Sequence, residues 1–207
     1  MATAPSRAVF DIWSRFYDLE AVQQAVYRPV HRAVARELAD HPAPRILDVG
    51  CGTGILTPSL GARPGASVFG CDLSFGMLQL ALSRRGLACV QGDAQRLPVR
   101  SRSVDAVVAT ESFHWFPDQD AALAEITRVL VPGGRLLVAM VNVRTDAFAK
   151  LVTGASRLMG EPWHWPTREE LAGRMERAGL RVVRQQRIAR LFGITFPSVL
   201  TVAVRIR

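Results

Sequence analysis

The chain has 207 residues, 49% of them apolar and 21% charged, enough for one packed α/β core and too apolar for a disordered chain. It holds no run of 18 apolar residues, and its opening MATAPSRAVFDIW carries Asp11 and no apolar stretch, so neither a membrane-spanning helix nor a secretory signal is expected. The net charge of +8 is uneven: from Thr167 to Arg207 nine arginines face Glu169, Glu170 and Glu176, an excess that suits a solvated face, an acidic substrate, an anionic lipid surface or nucleic acid.

Arg7 to Asp40 reads as helix in two pieces. Phe10, Trp13, Phe16 and Tyr17 fall at helical spacing, and AVQQAVYRPVHRAVARELAD follows with a bend expected at Pro29. Strands and helices then alternate. RILDVG is a strand and GILTPSL opens a helix; ASVFGCD is the second strand, and SFGMLQLALSRR a helix with Ser74 as N-cap. LACVQGD and SVDAVVAT are the third and fourth strands. DQDAALAEITRVL is a helix that stops before VPGG, and RLLVAMVNV is the fifth strand.

After Val143 come a helical stretch, the aromatic loop EPWHWP and the capped helix TREELAGRMERAGL. The end, RVVRQQRIARLFGITFPSVLTVAVRIR, reads as an antiparallel edge hairpin, with Pro197 suited to a strand end. Such alternation implies parallel strands joined by right-handed crossovers, with helices on both faces. No repeat or low-complexity linker breaks the pattern, so residues 1–207 are expected to form a single domain.

Cys51, Cys71 and Cys89 lack metal-ligand spacing and read as small buried residues of a reducing compartment, hence of a cytoplasmic protein. A thiol site for a soft ligand is the lesser reading, since Cys51 and Cys71 end neighbouring strands.

The loop ILDVGCGTG carries glycines at 50, 52 and 54, a G-x-G-x-G, with Ile at 55 where the dinucleotide fingerprint needs its third glycine. Asp48 would repel a pyrophosphate but receive an ammonium group, and no Gly-Lys-Ser/Thr follows to cradle phosphate. Eighteen residues beyond Gly54 stands Asp72, placed to accept hydrogen bonds from two ribose hydroxyls. Asp93 closes the third strand, where an acid and its backbone can read an adenine edge. Three acids around a glycine loop describe a nucleoside with a cationic amino-acid tail, as in S-adenosylmethionine.

ILDVGCGTG, GCDLSFGML, GDAQRLPV, VDAVVAT and VLVPGGRLLV resemble, in order and register over about residues 45 to 141, the successive motifs of class I S-adenosylmethionine-dependent methyltransferases. The resemblance is strongest to the small ubiquinone/menaquinone-biosynthesis type. It implies a Rossmann-like, doubly wound, mostly parallel seven-stranded sheet with an antiparallel C-terminal edge. It further implies a helical lid over 1–40, a cofactor core over 45–143 and a substrate side over 144–207. Gly50, Gly52 and Gly54, with Cys51 between them, would let the backbone approach the methionine moiety. Asp48 would support its amino group through the loop or a water, Asp72 the ribose, Leu73 and Met77 the adenine faces, and Asp93 with Ala94 the adenine amino edge. Thr110 would touch the methionine end.

The reaction so implied is in-line displacement at the sulfonium methyl, releasing S-adenosylhomocysteine. The protein then supplies mainly alignment and exclusion of water. His114 in TESFHWFPD is the expected base where one is needed, with Glu111 and Trp115 beside it; a carboxylate acceptor would need none. Trp13, Tyr17, Trp115 and Trp163 are expected to line the acceptor pocket, giving it an aromatic lid suited to a flat, apolar or acidic small molecule. The basic end leaves open a weak membrane-surface contact and methylation of a lipid or quinone there, and a non-catalytic cofactor-binding role is the remaining alternative. A nucleic-acid substrate is not expected, because there is no appended RNA-binding module and TESFHW lacks the Asn-Pro-Pro-Tyr type of motif. Edge-to-edge pairing of copies through the C-terminal hairpin is conceivable, but no residue selects an oligomeric state.

Overall fold

The computed structural model describes residues 27–39, 45–62, 64–141, 164–188 and 198–206. The described elements are α1 (Arg28–Ala39), β1 (Arg45–Val49), α2 (Thr57–Gly61), β2 (Ser67–Asp72), α3 (Phe75–Arg85), β3 (Cys89–Gln91) and β4 (Val104–Thr110). A 3₁₀ turn (Phe113–Trp115), α4 (Gln119–Val129), β5 (Leu130–Val141), α5 (Arg168–Arg177), β6 (Leu180–Ile188) and β7 (Ser198–Arg205) complete them.

The strands form one sheet in the order β3-β2-β1-β4-β5-β7-β6. β1 to β5 pair in parallel, and β7 inserts antiparallel between β5 and β6. The expected mostly parallel sheet with an antiparallel C-terminal edge is therefore present. Strand order reverses between β1 and β4, and the carboxyl ends there open the crevice in which doubly wound sheets bind ligands.

Alternation along each central strand builds two cores. On one face Leu47, Val49, Val107, Ala109 and Leu136 meet Leu123 and Ile126 of α4 and Met175 of α5. On the other, Ile46, Ala106, Val108, Leu137 and Val202 meet Val30, Val34 and Leu38 of α1. Strands apolar on both faces are what a helix-covered parallel sheet requires, and each fully buried Leu or Ile contributes roughly 2 kcal/mol. The sheet ends are thus rigid supports for the loops above them.

Local chemistry sets the helix starts. Ser74 caps α3 by accepting from Met77 N–H, and Asp118 caps α4 by accepting from Ala121 N–H. Thr167 and Glu170 form a reciprocal capping box at α5.

Some expectations shift. The fifth strand, expected to start at Arg135, begins at Leu130, directly after α4, and VPGG forms a bulge within it. Val104 pairs with Leu130 while Ala106 pairs with Arg135. Gly133 turns the chain at φ 78°, and Gly134 lies so close to the Val131 and Asp105 carbonyls that a Cβ would stand 2.9 and 3.0 Å from them. The helix expected from GILTPSL starts only at Thr57, with Pro58 in its first turn. Pro29 is the second residue of α1, and the segment before Tyr27 that the expected bend would join to it lies outside the described residues.

The three cysteines are free thiols. Cys51 packs under α3 with Leu78, Ala81 and Leu87, whereas Cys71 belongs to the core on the sheet's opposite face. Burial pushes both thiols up, Cys71 to about 12. Among the described residues no cluster of three or more His, Cys, Asp or Glu could hold a metal ion.

Candidate active site

Asp48 and Val49 bring β1 to the sheet's carboxyl edge, and the glycine loop leaves from there. Gly50, Gly52 and Gly54 have φ of 72°, 54° and 76°, the left-handed region that a side chain makes costly. Gly50 is also a close approach, since a Cβ there would stand 2.4 Å from Ser112 Cβ; at Gly52 a Cβ would meet nothing within 4 Å. The loop is strung on β2: Gly50 N–H and Cys51 N–H both donate to the Cys71 carbonyl, at 2.7 and 3.3 Å.

Asp72 ends β2 beneath this loop. One carboxylate oxygen accepts from Gly52 N–H at 2.8 Å and the other from Ser74 N–H at 2.8 Å. Burial pushes its carboxyl up, and these backbone donors pull it back. Asp72 therefore shapes the glycine loop as well as facing it. Asp48, only 1% exposed, has no hydrogen-bond partner for either carboxyl oxygen among the described residues. Burial first, and the charge of Asp72 second, push it up to about 7.

Leu73 is half-buried, while Met77 and Ala94 are buried, Met77 being in the first turn of α3. Asp93 accepts from Gln95 N–H at 2.8 Å and from the Gln95 side-chain amide at 3.1 Å. It lines a cavity of about 600 Å³ together with Gln95, Asp118, Gln119, His164 and Arg174. Among the described residues no other expected cofactor residue lines that cavity. Thr110 is the last residue of β4 and is buried.

His114 is in the 3₁₀ turn after β4, 7% exposed. Its ring lies 5.2 Å from Trp115, tilted at 40°, and 5.4 Å edge-on to Trp165. Its Nδ1 has no hydrogen-bond partner among the described residues, and burial pushes the imidazole down to about 3. His164 N–H donates to the His114 carbonyl at 3.0 Å, and the Gln119 amide donates to the carbonyls of Phe113 and His164. These bonds hold the segment before α5 against the turn. Of the expected acceptor residues Trp115 is here, half-buried; Trp13, Tyr17 and Trp163 lie outside the described residues.

Sequence reasoning placed Trp165 in the aromatic lid but missed Ser112 and the structural part played by Glu111. Ser112 Oγ donates to the Val49 carbonyl at 2.9 Å, bridging 63 positions. Glu111 takes a left-handed φ of 52°, and its carboxylate accepts from Val141 N–H and Ser198 Oγ, each at 3.2 Å. The only local signal for either was their place directly after an apolar strand.

A methyltransferase-domain family model matches residues 47–138. A demethylmenaquinone methyltransferase from Streptomyces avermitilis is 32% identical over 83% of this chain and 84% of its own length. The chain belongs to the class I S-adenosylmethionine-dependent methyltransferases. Its similarity is to the ubiquinone/menaquinone-biosynthesis group within them. A malonyl-[acyl-carrier protein] O-methyltransferase from Methylococcus capsulatus is 34% identical over 80% of this chain and 61% of its own length. Among solved structures, a complex between the Haloferax volcanii Trm112 methyltransferase activator and the putative methyltransferase matches with a TM-score of 0.79 and 25% identity, covering 96% of this chain and 98% of that one.

The cofactor of this methyltransferase is thus S-adenosylmethionine, and the residues present fit it. Gly52 faces open space at a left-handed φ, and the bare carboxyl of Asp48 offers a buried acceptor to an ammonium group. Among the described residues no helix is long and apolar enough to cross a membrane.

Proposed function

We propose that this methyltransferase methylates an oxygen or carbon nucleophile of a small apolar or acidic metabolite. The bound cofactor supplies a methyl group already activated by its sulfonium. The residues proposed to hold it are Asp48 for the ammonium, Asp72 for the ribose and Asp93 with Ala94 for the adenine edge. Leu73 and Met77 flank the base, Gly50 to Gly54 with Cys51 let the backbone in, and Thr110 meets the methionine end.

The observation that carries the acceptor class is the uncharged ring cluster of His114, Trp115 and Trp165 beside the end of β4. An imidazole held neutral down to about pH 3 is a weak base. The acceptor it suits arrives with its nucleophile ionised, as a carboxylate does, or loses its proton to solvent rather than to this ring, as the phenolic hydroxyl of a quinol would. His114 would then orient the acceptor and keep water away rather than abstract a proton. The relatives support this range, one named for demethylmenaquinone and the other for a malonyl group on a carrier protein.

The test is transfer of labelled methyl from S-adenosylmethionine to a panel of carboxylic acids and short-tailed demethylmenaquinols. His114→Asn should keep a measurable rate on the substrate found. Transfer confined to amines, or abolished in His114→Asn while cofactor affinity holds, would contradict the reading.

A second reading, methylation of a lipid or quinone at a membrane surface, is favoured by one observation. The edge strand β6 exposes Arg181, Arg184 and Arg187. Binding to anionic vesicles that fades with added salt supports it; equal binding to neutral vesicles counts against it.

A further inference from the structure

Asp48 and Asp72 end neighbouring strands on the same face of the sheet, and the chain treats them differently. β1 and β2 run in register with Asp48 opposite Gly70, so Asp72 is the next residue on that face. The carboxylate of Asp72 collects two backbone N–H groups. Asp48 collects none among the described residues: both its oxygens are buried and bare there. Its partner across β4 is Val108, which has no side-chain donor.

The described titratable groups around Asp48 do not relieve it. From β2 comes the negative charge of Asp72, and from the glycine loop comes the Cys51 thiol, which burial keeps protonated. α1, packed on the same face, turns His31 inward, while its Glu37 is engaged by Arg135 and Arg184. α2 carries no titratable side chain. A buried carboxylate without donors and beside a like charge is strongly disfavoured, and such a group keeps its proton instead.

We propose that Asp48 is a neutral carboxylic acid in the ligand-free enzyme and gives its proton to solvent when a ligand's ammonium group arrives, making cofactor uptake proton-coupled and selective for an amino-acid tail. The inference rests on the cofactor reading given above. In the step the O–H bond of Asp48 breaks, the proton passes to the buffer, and a carboxylate–ammonium pair forms in its place. The ordinary carboxyl value near 3.8 is raised to about 7 without ligand, and an ammonium neighbour reverses the sign of the local charge. A ligand with the same nucleoside but no ammonium cannot draw the proton off. Asp72, Leu73, Met77 and Asp93 would then hold the nucleoside of either ligand, and Asp48 would tell them apart.

The test is titration calorimetry at about pH 6 in two buffers of very different ionisation enthalpy, which counts protons exchanged on binding. The two probes are S-adenosylhomocysteine and 5′-methylthioadenosine, which keeps the nucleoside and thioether but lacks the amino-acid carbons. The expected result is release of about one proton with the first and none with the second, the release fading above about pH 8, where Asp48 is already ionised. Asp48→Asn, nearly isosteric, should bind S-adenosylhomocysteine more weakly and release no proton. Binding of S-adenosylhomocysteine with no proton released, or equal release with both ligands, overturns the inference and leaves the cofactor reading standing. Failure of both ligands to bind the folded wild type overturns the two together.

Discussion

Ser112 wedges the end of β1 against the turn after β4. Its Oγ holds the Val49 carbonyl at 2.9 Å, and its Cβ occupies the space into which a Cβ on Gly50 would point, 2.4 Å away. The first bend of the glycine loop is therefore built from both sides of the strand-order reversal. Gly50→Ala meets this wedge at a left-handed φ, and should cost roughly 3 kcal/mol of stability together with most of the cofactor affinity. Ser112→Gly added to Gly50→Ala should recover part of the loss. Urea unfolding of the two single variants and the double measures the coupling, and purely additive losses would contradict a direct clash.

How much of this was legible in the chain depends on how far each signal reaches. Parallel strands buried on both faces announce themselves as short apolar runs, and glycines 50, 52 and 54 with Asp72 stand within one β-loop-α unit. Both were readable for that reason. The bulge at VPGG was not, because Pro-Gly-Gly is equally a turn until β4 is seen paired on either side of it. Ser112 on Val49 and His164 on His114 join positions far apart in sequence, and no local pattern specifies such pairs. The state of His114 was hidden for another reason. A histidine in a loop looks available, and only the packing of Trp115 and Trp165 around it makes it neutral.

That burial has a sign in solution. The folded imidazole of His114 titrates near 3, against 6.5 ordinarily. Below pH 6.5 the unfolded chain binds a proton there and the folded chain does not. Stability from this group is therefore complete above pH 6.5 and lost as pH falls toward 3, by up to about 1.4 kcal/mol per pH unit. Asp48 has the opposite slope, losing stability as pH rises from 3.8 to about 7. Replacing His114 with Phe removes the first contribution alone. Denaturant unfolding between pH 4 and 7 (about the window set by these values) should show the variant's stability rising less, or falling more, with pH than the wild type's, by up to about 1.4 kcal/mol per pH unit below pH 6.5, and identical slopes would contradict a buried neutral imidazole.

Glu111 should be a position where glycine is better tolerated than alanine. Its φ of 52° strains any side-chain-bearing residue by about 1 kcal/mol, and its carboxylate offsets this by tying Val141 and Ser198 to the end of β4. Glu111→Ala keeps the strain and loses the ties, at a cost of roughly 1–3 kcal/mol. Glu111→Gly loses the ties and the strain together. Thermal unfolding should rank wild type above glycine above alanine, and alanine above glycine would show that the backbone is not strained there.

Asp72 is the residue on which the account turns, because it shapes the glycine loop through Gly52 and is proposed to meet the ribose as well. Calorimetric titration of wild type and Asp72→Ala with S-adenosylhomocysteine and with NAD tests this most directly. The wild type should bind S-adenosylhomocysteine tightly, the variant should lose at least about a tenfold in affinity with the fold intact, equivalent to about 1.4 kcal/mol, and neither should bind NAD. Undiminished affinity in Asp72→Ala, or a preference for NAD, would contradict it.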